Sequence, residues 1–223
     1  MIKEKISKSR FIVIGSLLLL IGLSIFASYN IYNYYSHKVD NNKANDFIEE
    51  VKKEEPPVEI EQEEQPKEKT LKEENYNYIG VVEIPTIDFK RGFFNIDDRN
   101  NIVDKNIEVL INSDMPDVTN GILAIAGHSG SGRTAYFKNL YKLKINDEIN
   151  IYYNNTKYIY KVNKNYEVDK NGIIDISRDK EQTTLVLTTC SKNKTKQVVI
   201  LAYLVDKVSY SEVLMNNIRN NTC

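Results

Sequence analysis

Cysteine is scarce in this chain: Cys190 and Cys223 are the two present. Outside the cytoplasm they could form one bridge. Cys223, however, sits in a polar, asparagine-rich tail and would close only a peripheral loop. Histidine is equally sparse, with His37 and His128. Without paired Cys/His spacing there is no zinc signature. Charge of one sign is lacking too, since the formal net charge is -1. No long basic stripe runs through the globular part, which argues against nucleic acid as a partner. Long apolar runs are absent apart from one near the N-terminus.

That run is Phe11 to Ala27, interrupted only by Gly15, Ser16, Gly22 and Ser24. It carries no charge and is of a length that spans a bilayer. Tyr29, Tyr32, Tyr34 and Tyr35 follow it, and their rings suit the membrane interface. Lys3, Lys5, Lys8 and Arg10 precede it, so the positive-inside rule places the C-terminus outside. A cleaved signal peptide is the competing reading. Ile25-Phe26-Ala27 is a poor cleavage site, because Ile stands where a small residue is wanted. Residues 1–10 therefore read as a cytoplasmic basic segment and 11–35 as a transmembrane signal anchor with its interface. Residues 36–75 read as an acidic linker in which Pro56-Pro57 and Pro66 break any continuous helix. It has few large apolar residues to offset ordering entropy. Its stretch from Asn41 to Lys53 could continue as helix from the membrane. Residues 76–223 form the globular domain.

That domain reads as many short strands with little helix. Ile79 to Ile84 is a strand ended by Pro85, and Asp88 to Phe94 is a second. Asn100 to Leu110 has ambiguous periodicity. Gly121 to Ala126 is a buried strand followed by the loop Gly127 to Gly132. Tyr136 to Leu143 has helical spacing. Glu148 to Tyr153 and Lys157 to Val162 form a hairpin around Asn154-Asn155. Gly172 to Ile176 reads as a further strand or turn, and Ser209 to Arg219 as a short helix or loose tail. The pattern predicts a small all-β barrel or sandwich. Thr183 to Cys190 alternates as a strand and ends on a thiol. The polar, cationic loop Ser191 to Lys196 follows, and Gln197 to Val205 is the next strand. A cysteine packed as a small hydrophobe is the plain alternative. Yet the attacking form of a thiol is the thiolate, which nearby positive charge favours. His128, the one histidine of the globular domain, also sits where a strand meets a loop. Such a Cys and His can meet in space, the minimum for thiol-based acyl transfer.

These residues resemble a family. Thr188-Thr189-Cys190, after Thr184-Leu185, resembles the sortase motif TLxTC in modified form. Ala126-Gly127-His128 resembles the sortase histidine segment, and Ile79 to Pro85 the start of the sortase barrel. Asn112 to Pro116 with Asn120-Gly121, and Tyr136 to Asp147, resemble the segments before and after the histidine. The resemblance covers about Tyr76 to Val205. It implies an all-β fold, a closed eight-stranded sortase-type β-barrel with short helices, preceded by an N-terminal transmembrane helix. It implies a membrane-tethered cysteine transpeptidase of Gram-positive surfaces. Cys190 would attack an LPxTG-like sorting signal and form a thioester. An amine of a cell-wall precursor or a pilin would resolve that thioester, with His128 as general acid and base. No cofactor is implied, and calcium, which orders a loop in some sortases, has no convincing cluster here. The absence of a long C-terminal apolar segment favours a single-anchor type.

One feature departs from the family pattern. Where sortases carry an arginine on the strand after the cysteine, alignment on Ala202 puts Gln197. Arginine can fork two hydrogen bonds to a carbonyl or developing oxyanion. Gln197 donates without charge, while Lys196 faces the other way on a regular strand and needs a bulge to enter. Lys194, Arg178 and Arg133 are further candidates. The alternative reading is a surface binding domain with weak or no transfer; a third is a hydrolase, in which water replaces the amine.

Overall fold

The computed structural model describes residues 2–53, 78–170, 174, 176, 181–193 and 195–210. The chain divides into two compact units, Met1–Asn42 and Lys43–Cys223. In the first, helix α1 (Ile2–Lys53, continuing into the second) carries an apolar stretch, Phe11–Tyr32, with mean hydropathy 2.5. Its 22 residues extend about 33 Å as helix, long enough to cross a hydrocarbon core of about 30 Å.

In the second unit eight strands follow in chain order: β1 (Gly80–Ile84), β2 (Phe89–Phe93), β3 (Glu108–Val109) and β4 (Ile122–Ala126), then β5 (Glu148–Tyr153), β6 (Thr156–Asp169), β7 (Thr184–Cys190) and β8 (Lys196–Ser209). They form one sheet in the order β2-β1-β5-β6-β8-β7-β4-β3. The pairs are antiparallel except β4 with β7, which is parallel. Alternate residues of every strand turn inward onto one core, including Val82, Phe93, Val109, Leu123, Ile151, Tyr160, Leu187 and Ile200. Because β2 and β3 at opposite ends of the sheet share this core, the sheet curls into a nearly closed barrel. Asn106 bridges the seam. Its amide donates to the Gly92 carbonyl at 2.8 Å and accepts from Arg91 Nε at 2.5 Å. The Arg91 guanidinium also lies 4.1 Å over the Tyr136 ring.

The expected strands are present among the described residues, with three differences; most of the strand or turn expected at Gly172 to Ile176 and most of the helix or tail expected at Ser209 to Arg219 lie outside them. Tyr136 to Leu143 yields only a 3₁₀ turn at Leu140–Lys142. Phe137, Leu140 and Leu143 are the buried positions, and a spacing of three suits that tighter helix. Strand β6 runs on past the expected hairpin and β8 past Val205; each is 14 residues long, and their ladder has two register irregularities. Third, the last turns of α1 are part of the barrel unit. Ala44 and Ile48 are buried against Val81 and Tyr152, with Phe47 and Tyr210 beside them. The β5–β6 connection places both Asn154 (φ 50°) and Asn155 (φ 53°) in the left-handed region. That is the turn whose twist matches a two-residue hairpin, and asparagine tolerates it. Most of 171–180, all of 211–223 and hence Cys223 lie outside the described residues.

Candidate active site

Three adjacent strands, β4, β7 and β8, place the site. In the β7–β8 ladder, Cys190 pairs with Gln197, Thr189 with Val198 and Thr188 with Val199. Leu185, Leu187, Val198 and Ile200 belong to the core, so Thr188 and Cys190 turn to the outer face with Gln197 and Val199. The parallel β4–β7 ladder pairs Ala124 with Val186 and Ala126 with Thr188. It continues for one more residue, because Gly127 N donates to Thr188 O at 3.1 Å. Carrying the same alternation past the end of β4 makes His128 the next outward position, level with Cys190.

His128, Cys190 and Gln197 therefore form a row across β4, β7 and β8 on the outer face. Neighbouring strands are about 4.8 Å apart, so successive members of the row are within side-chain reach. The local sequence fixes this placement. Gly127 is needed where it stands, since an added Cβ would lie 2.7 Å from Phe137 Cδ2. Thr189 turns inward and donates to Gly127 O at 2.7 Å, tying β7 to the start of the histidine loop. Phe137 N donates to His128 O at 2.9 Å.

Each candidate can now be located. Cys190 is a half-buried free thiol. His128 is 39% exposed by its side chain, and Nε2 lies 2.8 Å from Asp104 Oδ1. Gln197 Nε2 is buried and has no hydrogen-bond partner among the described residues. A buried donor left open is costly, and an arriving acceptor or a water would satisfy it. Lys196 stands at the first position of β8, and the ladder through Gln197 carries no bulge. Its side chain therefore takes the face opposite Cys190. Arg133 lies exposed in the loop after His128, and Arg178 and Lys194 lie outside the described residues. Of the cationic loop, Lys192 Nζ sits 4.4 Å over the Tyr141 ring. Ser191 donates to Glu167 at 2.5 Å.

Beyond the row, the outer face of these strands is apolar. Val186, Val199 and Leu201 are buried there, with Ile122, Ala124, Tyr166, Val168, Ile174 and Ile176 packed against them. At the edge of this buried cluster the part-exposed Ile122, Ala124 and Ala126 of β4 give an apolar platform leading towards the thiol. On the other side of Cys190, a cavity of about 630 Å³ opens between Ser129, Phe137, Tyr141, Glu167, Ser191 and Val198. Among the described residues, no three His, Cys, Asp or Glu side chains cluster as metal ligands would. Asp104 is the site neighbour that sequence reasoning missed. It lies in the turn-rich segment before β3, and nothing in its local pattern marks it.

This arrangement can be compared with known proteins. The sortase domain model matches residues 82–205. No curated protein matches the chain. Among solved structures, a lid mutant of sortase A from Corynebacterium diphtheriae is 25% identical, with TM-score 0.53 over 58% of this chain and 70% of that one. Sortase C from Streptococcus pneumoniae is 21% identical, with TM-score 0.53 over 59% and 70%. Sortase C1 from Streptococcus agalactiae is 22% identical, with TM-score 0.53 over 60% and 70%. At such identities the last two speak for the fold alone. The domain match spans from β1 into β8 and takes in the whole His128–Cys190–Gln197 row, and the chain belongs to the sortase family.

Proposed function

We propose that this sortase is a membrane-anchored cysteine transpeptidase that cleaves an LPxTG-like sorting signal and joins the released carbonyl to an amine of the cell wall or a pilin. The observation that carries the reading is the row of Cys190, His128 and Gln197 on one face. The signal peptide lies along the apolar platform. The Cys190 thiolate attacks its Thr–Gly carbonyl, and the tetrahedral intermediate collapses to a thioester as His128 gives a proton to the leaving amine. An incoming amine then attacks the thioester, loses its proton to His128 and expels the thiolate. The cavity beside Cys190 offers that amine a route that leaves the platform occupied. Of the two stabiliser candidates, Gln197 fits and Lys196 does not, because only Gln197 shares the face of the thiol with an unused donor. Phe11–Tyr32 holds the enzyme in the membrane, with residues 1–10 inside and the barrel outside.

The test uses the full chain in detergent micelles, mixed with LPxTG-like and variant peptides and read by intact mass. An adduct on Cys190 that resolves when an amine is added is expected; resolution by water alone indicates a hydrolase. No adduct from folded protein would favour the second reading, a surface binding domain, for which the missing charge at Gln197 speaks. His128→Ala is expected to fold and lose turnover. Gln197→Ala is expected to lose about 10²–10³ in kcat, the loss typical of one oxyanion donor. Lys196→Ala is expected to change it less than about threefold; the reverse order would give Lys196 the role.

A further inference from the structure

We propose that Asp104 is a positioning residue for His128: it holds the ring by Nε2 and leaves Nδ1 as the nitrogen that exchanges protons beside Cys190. The proposal rests on the acyl-transfer reading above. The contact is 2.8 Å, and an ionised carboxylate can only accept, so Nε2 carries the hydrogen and Nδ1 of the neutral ring is bare.

The row geometry points to the same nitrogen. The β4–β7 register ends with Ala126 beside Thr188, and carried two residues further it sets His128 beside Cys190. Sγ is bonded to its Cβ, and Nδ1 lies nearer the backbone than Nε2. With Nε2 taken by Asp104, Nδ1 is the ring nitrogen left for the thiol. A ring turned the other way would give up the carboxylate.

Asp104 is presented by a fixed segment. Lys105 N and Asn106 N both donate to Ile102 O, at 2.9 and 3.0 Å. Val103 N donates to Glu108 Oε2 at 2.9 Å. Asn106, two residues on, is 1% exposed and tied across the seam to Arg91 and Gly92. In the reaction Nδ1 takes the proton of the thiol or of the incoming ammonium, and the Nε2–H bond to Asp104 persists through the imidazolium. The Nδ1 proton then passes to the leaving amine.

Asp104 is 77% exposed by its side chain, so its effect is modest. Its removal is expected to lower kcat by about two- to fivefold with KM unchanged. The full chain is labelled with ring-¹⁵N histidine. Two ring systems appear, and His37→Gln assigns them. The neutral His128 ring is expected as the Nε2–H tautomer, to lose that preference in Asp104→Ala and to regain it in Asp104→Glu. An Nδ1–H ring in the parent, an unchanged tautomer ratio in Asp104→Ala or an unchanged kcat overturns the proposal. Turnover is read on whichever peptide acylates Cys190. If none does, the acyl-transfer reading fails, and the tautomer result alone decides whether Asp104 sets the ring.

Discussion

Side chains at 128, 190 and 197 come from three backbones held by ladder hydrogen bonds, so one can be exchanged while the others stay in place. Gln197→Arg would restore a charged fork opposite Cys190. It is expected to raise kcat/KM about tenfold if the charge is limiting. An unchanged rate would show that placement, and not charge, is what position 197 contributes. Gly127→Ala acts through shape. Its Cβ would meet the fully buried Phe137 ring, and overpacking of this kind costs about 1–3 kcal/mol. A urea midpoint equal to the parent's would contradict that. Cys190 and His128 stand out in the sequence as candidates because each ends an apolar run at a polar loop. Which of Lys196 and Gln197 shares the face of Cys190 does not stand out, since it turns on the absence of a bulge. Asp104 was not legible either, because its neighbour is supplied by another strand.

At the scale of elements, strand existence followed from alternation, β-branched residues and turn asparagines, while lengths did not. The ends of β6 and β8 stabilise one another across a non-local ladder, so neither reads as strand on its own. The end of α1 teaches the same lesson. Ala44, Phe47 and Ile48 recur at helical spacing within a highly charged stretch, and only the barrel surface shows what they cover. Ile48→Ala is expected to destabilise the barrel unit by about 2 kcal/mol, measured by urea unfolding. A value near zero would mean that this helical end is a passive spacer.

The same patch carries a pH dependence. Burial alone would raise the Glu83 carboxyl, but hydrogen bonds from Lys90 and Tyr152 and the Lys90 charge outweigh it and hold the group below its ordinary value of 4.5. A lowered carboxylate releases protons on folding. Its contribution is therefore present above 4.5 and lost as the pH falls through the lowered value. Glu83→Gln should flatten the acid limb of a stability–pH curve; an acid limb as steep as the parent's would refute the assignment.

At the scale of the whole barrel, one buried polar side chain bridges the seam. Asn106→Leu removes both of its hydrogen bonds from a buried position and is expected to cost about 2–4 kcal/mol. Thermal unfolding would check this, with an unchanged midpoint counting against the seam. Nothing in the sequence marked Asn106, because its partners lie on an edge strand that local pattern cannot bring near.

The parallel pairing of β4 with β7 has a consequence in time. Gly127 and Thr189 are 62 residues apart along the chain, and the β5–β6 hairpin must form between them. Hairpins close in microseconds, whereas pairings so distant wait on slow loop closure. A slip of one residue between β4 and β7 would turn His128 into the core. Thiol and imidazole thus stay strangers until the barrel is finished, so on the proposed reading a half-folded chain holds no working pair to act on a passing peptide. Capture of peptide by Cys190 should appear later in refolding than the β5–β6 hairpin does, which makes the enzyme a clock for its own completion.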